Sequence, residues 1–142
     1  MPYERKIVLL VDDDREFLSE LQESLALSGY IPVIAATGTE AVKAALRIRP
    51  DVILIDLRLG KENGFTVAGK VRKNPATMRI PIIMMSGYFN GSEHSNLLAP
   101  SEVNVYLAKP FKQKDVVRSI QTILADKTDI PFDLLRHCVL KI

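Results

Sequence analysis

Five short apolar runs, separated by segments with helical spacing, constrain the fold of this chain more than any other feature. The runs cover residues 7–11, 31–35, 52–55, 80–85 and 103–107. Most of them are continuously apolar rather than alternating, which is typical of strands that are covered on both faces. Strands that alternate with helices are joined by right-handed crossovers into one parallel sheet. The sequence therefore predicts an α/β protein with helices on both faces of that sheet.

Helical patterns fill the gaps between the runs. A first helix is predicted before the stop signal Gly29, and a second begins at a capping box formed by Thr37 and Glu40. A third ends at Asn74-Pro75, and another lies near the C-terminus. Apolar residues at helical spacing mark these four helices: Phe17, Leu18, Leu21, Leu25, Ala41, Val42, Ala45, Leu46, Phe65, Ala68, Val71, Val116, Val117, Ile120, Ile123 and Leu124.

The segment between the fourth and fifth runs is less regular. It is rich in Gly, Asn and Ser and is interrupted by Pro100, so we expect only a short or irregular helix near residues 92–99. Residues 127–142 lie beyond the five-unit pattern. We therefore expect one domain over residues 1–126 and a C-terminal extension, 127–142, that forms a short amphipathic helix or a linker.

Composition places the chain among ordinary soluble domains. Its 142 residues are 47% hydrophobic and 25% charged, with a formal net charge of +2. The basic residues are scattered, whereas nucleic-acid binding would need a basic stripe. One cysteine, Cys138, excludes an internal disulfide. No apolar stretch approaches the length of a membrane span, and we expect a cytoplasmic protein without direct contact to nucleic acid or membrane.

Polar residues follow four of the apolar runs. Asp12 and Asp13 come after the first, Asp56 after the third, Ser86 after the fourth and Lys109 after the fifth. In open parallel sheets, ligands bind at the carboxyl ends of the strands, so these groups can meet at one edge. Three carboxylates, a hydroxyl and an ammonium suit a divalent cation and a phosphoryl group.

Each of these residues also has a simpler interpretation. Adjacent carboxylates repel, so a cation such as Mg²⁺ would hold Asp12 and Asp13 together, but acidic residues also suit a helix N-terminus, and Asp14 is a plausible N-cap. Asp56 could be a nucleophile toward phosphorus or a turn residue. Ser86 and Lys109 could hold phosphoryl oxygens or merely end a strand. Their occurrence at successive strand ends favours the shared site.

Four motifs then carry a family resemblance: residues 11–14 (VDDD), 55–59 (IDLRL) with Asn63-Gly64, 85–87 (MSG) and 106–111 (YLAKPF). Through them the chain resembles the CheY-like response-regulator receiver domain, the phosphoacceptor module of two-component signalling, over roughly the first 126 residues. The resemblance implies a flavodoxin-like (βα)5 three-layer sandwich with a five-stranded parallel sheet of order 2-1-3-4-5.

The resemblance also implies a role for each site residue. Asp56 corresponds to the phosphoacceptor, Asp13 to a direct Mg²⁺ ligand and Asp12 to a ligand that acts mostly through water. The backbone carbonyl of Arg58 is expected to complete the protein's share of the metal shell. Ser86 corresponds to the hydroxyl that bonds the phosphoryl group.

The resemblance also implies roles for Lys109 and Tyr106. Lys109 corresponds to the lysine that pairs with the phosphoryl group. Tyr106 corresponds to an aromatic that moves together with the Ser86 side chain after phosphorylation; the alternative is a strand aromatic packed at the surface. One departure is Gly60, where family members often have Pro, and we expect it to loosen the loop after Asp56.

The resemblance also implies partners for this chain, and two other functional interpretations stay open. The phosphodonor would be a histidine kinase or a histidine phosphotransfer protein, and the phosphorylated surface near Tyr106 and the fourth and fifth helices would act on an output domain, a protein target or a second copy in a homodimer. Apart from self-catalysed phosphoryl transfer and dephosphorylation, no enzyme activity is expected. One rival is a haloacid-dehalogenase-like phosphatase, suggested by Asp12-x-Asp14 but not by Glu16; another is a receiver-like scaffold that is never phosphorylated.

Overall fold

The computed structural model describes residues 5–86, 103–108 and 111–125 of the chain. Its strands are β1 (Ile7–Val11), β2 (Ile31–Ala35), β3 (Val52–Asp56), β4 (Arg58–Leu59), β5 (Glu62–Asn63), β6 (Ile82–Ser86) and β7 (Val105–Ala108). Its helices are α1 (Arg15–Leu27), α2 (Gly38–Ile48), α3 (Gly64–Lys73) and α4 (Gln113–Ala125). The predicted irregular helix near residues 92–99 and the extension 127–142 lie outside the described residues.

Five strands form one parallel sheet in the order β2-β1-β3-β6-β7. Strands β4 and β5 form a separate antiparallel hairpin after β3. When only the strands of the main sheet are numbered along the chain, their order is 2-1-3-4-5, so the predicted flavodoxin-like topology is confirmed. The order reverses between β1 and β3, which is where ligands bind in folds of this kind.

Alternate residues of the strands build two hydrophobic clusters, one on each face of the sheet. Val8 and Leu10 of β1 belong to the cluster that contains α1 and α4, whereas Leu9 and Val11 belong to the cluster that contains α2 and α3. This division follows from the two-residue period of a strand, whose side chains point alternately to opposite faces. The continuous apolar runs are therefore explained by burial on both faces.

Strand β2 departs from that pattern because it lies at an edge of the sheet. Ile31 and Ile34 are 41% and 46% exposed, so the expectation of coverage on both faces is wrong for this strand. The backbone N–H of Ile31 donates to Lys6 in the direction of β1, so the next nitrogen, that of Pro32, faces outward. Proline has no N–H there, which limits pairing of this edge with another strand.

Side chains cap three of the helices at their N-termini. Asp14 accepts a hydrogen bond from the N–H of Phe17 at 3.2 Å, and Asn63 accepts one from Phe65 at 2.8 Å. The predicted capping box is formed on one side, since Thr37 Oγ1 accepts from the N–H of Glu40 at 3.1 Å. The Glu40 carboxylate reaches back one residue further than expected, to the N–H of Ala36 at 3.1 Å.

The last two strands of the sheet begin two residues later than predicted. Strand β6 begins at Ile82 and β7 at Val105. Asn104, the residue before β7, places its side chain beside the start of β6. Its side-chain oxygen accepts from the N–H of Ile82 at 2.8 Å and from the Arg72 guanidinium at 2.9 Å. Arg72 also donates to the carbonyl of Ile80 at 2.7 Å, and the N–H of Ile80 donates to the carbonyl of Thr77 at 3.1 Å, so both backbone groups of Ile80 have partners outside the sheet.

In the described part of the chain, no helix combines the length and apolar character needed to cross a membrane.

Candidate functional site

The acidic residues named from the sequence meet at the carboxyl edge of the sheet. Asp56 is the last residue of β3, and Asp12 follows the last residue of the neighbouring strand β1. Ser86 is the last residue of β6, on the other side of β3. Because the three strands are parallel and adjacent, their ends share one edge. Parallel topology thus brings together residues that are widely separated in the chain.

Three carboxylates form a close cluster at this edge. One carboxylate oxygen from each of Asp12, Asp13 and Asp56 lies within 4.8 Å of the corresponding oxygens of the other two. Asp12 is 0% exposed and Asp56 is 9% exposed, whereas Asp13 faces solvent. Like charges at this separation repel one another, and burial makes the repulsion more costly. The arrangement suits a hard divalent cation bound by oxygen ligands and water, such as Mg²⁺.

Backbone groups orient two of the three carboxylates. Asp12 Oδ1 accepts a hydrogen bond from the N–H of Asp14 at 3.0 Å, and Asp56 Oδ1 accepts one from the N–H of Arg58 at 3.2 Å. Both are local bonds in which an Asp side chain binds the backbone two residues on. Asp14 takes no part in the cluster because its own carboxylate caps α1, as the simpler interpretation of that residue predicted.

The segment after Asp56 is a regular hairpin. Arg58 pairs with Asn63 and Leu59 with Glu62, which leaves Gly60 and Lys61 as a two-residue turn. Gly60 has φ +61°, a value that proline cannot adopt and that glycine adopts without strain. The expectation that Gly60 loosens this loop does not match the paired strands. A Cβ on Gly60 would lie 3.7 Å from Asp13 Oδ2, so the turn packs beside the acidic cluster.

Gly64 permits a close approach of α3 to the phosphoacceptor candidate. A Cβ at Gly64 would overlap the carbonyl oxygen of Asp56 and would lie 3.0 Å from both Leu57 Cα and Met84 Sδ. The N–H of Gly64 donates to the Leu57 carbonyl at 2.7 Å. The first residue of the helix is therefore packed directly against the end of β3.

The structure describes three of the four remaining predicted site residues, namely Ser86, Tyr106 and Arg58. Ser86 is 2% exposed and is paired with Ala108, the residue before Lys109. Lys109 itself lies outside the described residues. Tyr106 is 2% exposed and packs in the cluster on the α2 and α3 side, so the alternative of an aromatic at the surface is wrong. Arg58 exposes its side chain, and its backbone N–H donates to Asp56 Oδ1.

Two contacts of the site had no clear signal in the sequence. Asn63-Gly64 belonged to a motif of the family resemblance, but the motif did not indicate that Gly64 packs against Asp56. The N–H of Gly38 donates to Glu62 across 24 positions of the chain, and neither residue had been singled out. Only the relative placement of the hairpin and α2 reveals this second contact.

Comparisons with known proteins agree with the fold. The response regulator receiver domain family matches residues 8–121. The transcriptional regulatory protein CpxR of Klebsiella pneumoniae is 36% identical over 118 residues, which is 82% of this chain and 48% of that protein. The DNA-binding response regulator MtrA of Mycobacterium tuberculosis is 31% identical over 131 residues, which is 92% of this chain and 56% of that protein.

A solved structure supports the same assignment. The receiver domain of the sensor histidine kinase PA1611 from Pseudomonas aeruginosa has a TM-score of 0.76 and 30% identity, covering 87% of this chain and all of that one. A magnesium ion is coordinated in the active-site cleft of that protein. A parallel sheet with this strand order and a carboxylate cluster at its edge define a CheY-like receiver. The chain belongs to the response regulator receiver domain family of two-component signal transduction, and it spans about half the length of the curated relatives that it matches.

Proposed function

We propose that this receiver domain is a phosphorylation-controlled switch whose phosphoacceptor is Asp56 and whose cofactor is Mg²⁺. The observation that carries the proposal is the cluster of Asp12, Asp13 and Asp56, with oxygens within 4.8 Å of one another at the end of β3. The phosphodonor is a histidine kinase or a histidine phosphotransfer protein. The transfer is self-catalysed by the receiver, as is the later dephosphorylation.

The chemistry requires a carboxylate oxygen of Asp56 to attack phosphorus. An O–P bond forms to Asp56, the N–P bond of the donor phosphohistidine breaks, and the histidine nitrogen leaves with the electron pair. Mg²⁺, held by the three carboxylates and the backbone carbonyl of Arg58, would offset the charge of the phosphoryl oxygens. The N–H of Arg58 fixes the orientation of the Asp56 carboxylate. The Ser86 hydroxyl and the Lys109 ammonium bind the phosphoryl oxygens.

Readout of the phosphoryl group uses Ser86 and Tyr106. Movement of Ser86 toward the phosphoryl group changes the space available to Tyr106, whose buried side chain belongs to the adjoining hydrophobic cluster. The switch depends on how much more strongly the phosphoryl group favours one arrangement of these side chains than the other. The surface that changes lies near Tyr106 and the helices beside it.

The output of the switch is a protein contact. The names of CpxR and MtrA describe transcriptional or DNA-binding regulators, and this chain matches about half of each. We propose that residues 1–126 form the receiver, that 127–142 form an extension, and that the phosphorylated receiver acts on an output domain, a protein target or a second copy. A cytoplasmic location without direct contact to nucleic acid or membrane fits this role.

Intact-mass measurement after incubation with acetyl phosphate and Mg²⁺ tests the proposal. The native chain is expected to gain one phosphoryl group, and the gain is expected to disappear with a chelator or in Asp56→Asn. Glu23→Gln, an exposed change on α1, is the matched control and is expected to behave as the native chain does. Phosphorylation of Asp56→Asn to the native level would overturn the assignment of Asp56.

The rival functions predict different results in the same experiment. A haloacid-dehalogenase-like phosphatase would release phosphate steadily from many monoesters, but its second acidic residue would be Asp14, which caps α1 instead. A scaffold that is never phosphorylated would show no mass gain under any condition. The complete carboxylate cluster favours the phosphoacceptor over this scaffold.

A further inference from the structure

The hairpin that follows Asp56 is attached to the start of helix α2. Glu62, in strand β5, accepts a hydrogen bond through Oε1 from the N–H of Gly38 at 3.4 Å. Gly38 is the first residue of α2 and is buried, whereas the Glu62 side chain is exposed. The contact therefore joins the loop of the acidic site to an element on the α2 and α3 face of the sheet.

The space around Gly38 shows how closely the two elements approach. A Cβ at Gly38 would overlap the Glu62 carboxylate and would lie 2.8 Å from Val67 Cγ2. Any larger residue at this position would have to displace Glu62. Glycine at the start of α2 is thus explained by the carboxylate that lies over it.

The start of a helix favours hydrogen-bond acceptors and negative charge, so the contact between Glu62 and Gly38 is stabilising. The first N–H groups of a helix have no partners within the helix. Thr37 binds the N–H of Glu40, and Glu62 binds that of Gly38. A carboxylate is also favoured here by the positive end of the helix dipole. These two effects draw Glu62 toward α2 and fix the hairpin that carries it.

The same hairpin contacts the acidic cluster at two points. The N–H of Arg58 donates to Asp56 Oδ1 at 3.2 Å, and the Gly60 turn packs beside Asp13 Oδ2. The pairing of Arg58 with Asn63 and of Leu59 with Glu62 transmits the position of Glu62 to both points. A hairpin released from α2 would move relative to both carboxylates.

We propose that Glu62 is a positioning residue for the metal and phosphoacceptor site. By binding the N–H of Gly38, Glu62 holds the hairpin so that the backbone of Arg58 and the Gly60 turn lie beside Asp56 and Asp13. This inference rests on the proposed function, because it concerns the Mg²⁺ site and the phosphorylation of Asp56.

The test compares Glu62→Ala with two matched variants, Glu62→Gln and Glu23→Ala, the second of which removes an exposed carboxylate from α1. Loss of one hydrogen bond of this kind is expected to weaken Mg²⁺ binding about three- to tenfold in Glu62→Ala, as measured by titration calorimetry. The Mg²⁺ concentration for half-maximal phosphorylation by acetyl phosphate rises by the same factor, while the rate at saturating Mg²⁺ stays near the native value. Amide hydrogen exchange at Gly38 is expected to become faster even without metal.

The two matched variants distinguish an effect of Glu62 on the position of the hairpin from an effect of the Glu62 charge. Glu62→Gln keeps an oxygen acceptor but loses the charge favoured at the helix start, so it is expected to retain most of the native Mg²⁺ affinity. A purely electrostatic effect of Glu62 would instead make Glu62→Gln as weak as Glu62→Ala. Glu23→Ala removes a carboxylate outside the hairpin and is expected to leave all three readouts unchanged. Equal Mg²⁺ affinity and equal Gly38 exchange in Glu62→Ala and Glu23→Ala would overturn the inference.

A substitution at Gly38 tests the same contact through its other partner. Gly38→Ala is expected to displace Glu62 and to weaken Mg²⁺ binding as Glu62→Ala does, and the double variant is expected to be little weaker than either single variant. Independent, multiplying effects would contradict the inference. If the native chain gains no phosphoryl group at all, the proposed function fails, whereas the exchange at Gly38 still reports on the contact itself.

Discussion

At the scale of single residues, the three carboxylates of the acidic site repel one another, and hydrogen bonds fix the orientation of two of them. Backbone N–H groups two residues further on hold Asp12 and Asp56, whereas the exposed Asp13 accepts no such bond from the described part of the chain. The carboxylate of Asp14, only one residue away, is used for capping α1. Neighbouring acidic residues therefore have different roles, and substitutions can separate these roles.

Neutralising one carboxylate is expected to stabilise the metal-free protein. Asp13→Asn removes repulsion that is worth about 1 kcal/mol between charges about 4 Å apart in a water-like medium. The free energy of unfolding in urea without Mg²⁺ should therefore rise by about 1 kcal/mol, and the stabilisation that Mg²⁺ gives the native chain should shrink. Asp14→Asn is the matched control, because Asn also caps helices well and Asp14 is outside the cluster. An equal change in both variants would refute the repulsion argument.

A methyl group at Gly64 is expected to disturb the end of β3. Gly64→Ala places a Cβ against the Asp56 carbonyl and Met84 Sδ, and overpacking of this kind costs about 1–3 kcal/mol of unfolding free energy. Phosphorylation by acetyl phosphate is expected to slow as well, because the backbone of Asp56 must move. Thr66→Ala, exposed on the same helix, is expected to change stability by no more than about 0.5 kcal/mol. Native stability in Gly64→Ala would show that the close packing is not needed.

At the scale of elements, the C-terminal ends of the helices decide where the chain turns back into the next strand. The C-terminus of α2 is the least favourable of them, because Arg49 adopts the left-handed conformation with φ 50° directly before Pro50. Left-handed geometry is disfavoured for residues with a Cβ, and a following proline restricts the backbone further. By contrast, the turn after α1 uses glycine for the same purpose, since Gly29 has φ 92°.

Replacing Arg49 with glycine is therefore expected to stabilise the protein. The relief of left-handed strain is about 1–2 kcal/mol and the added freedom of the unfolded chain offsets part of it, which leaves a gain of about 0.5–1 kcal/mol. Urea unfolding of Arg49→Gly measures the gain. Arg47→Gly, at an exposed position of α2 two residues earlier, should lose about 1 kcal/mol of unfolding free energy. Destabilisation of both variants would mean that the conformation of Arg49 carries no strain.

At the scale of the whole molecule, two hydrophobic clusters pack on opposite faces of one sheet. Tyr30, between α1 and β2, packs against the cluster that contains α1 and α4. Burial disfavours the charged phenolate and raises the pKa of Tyr30 above its ordinary value of 10.0. The neutral side chain is therefore preferred more strongly in the folded protein than in the unfolded chain.

This preference predicts a loss of stability in alkali. Below about pH 10 Tyr30 is neutral in both states and its contribution is fully present; above it, the unfolded chain ionises first and the free energy of unfolding falls. Chemical unfolding measured from neutral pH to beyond pH 10 should show a smaller alkaline loss in Tyr30→Phe than in the native chain. Parallel curves for the two proteins would contradict the assignment of this loss to Tyr30.

The local features of the fold could be predicted because they depend on neighbours in the chain. Apolar runs placed β1 and β2 at their observed bounds, and the caps Asp14 and Thr37 followed from residue type and spacing. The starts of β6 and β7 were predicted two residues early, and before β6 both backbone groups of Ile80 are bonded to Arg72 and Thr77 rather than to a strand. Hydrophobic periodicity contains no information about such hydrogen bonds.

The sequence by itself determined the alternation of strands and helices, and from it the edge at which Asp12, Asp13 and Asp56 had to meet, since parallel strands place their carboxyl ends together. Tertiary structure alone decided the burial of Tyr106, the exposure of β2 and the contact between Glu62 and Gly38. These features depend on which element packs over another and at what distance. No local pattern specifies this, because the residues involved are brought together only by the completed fold.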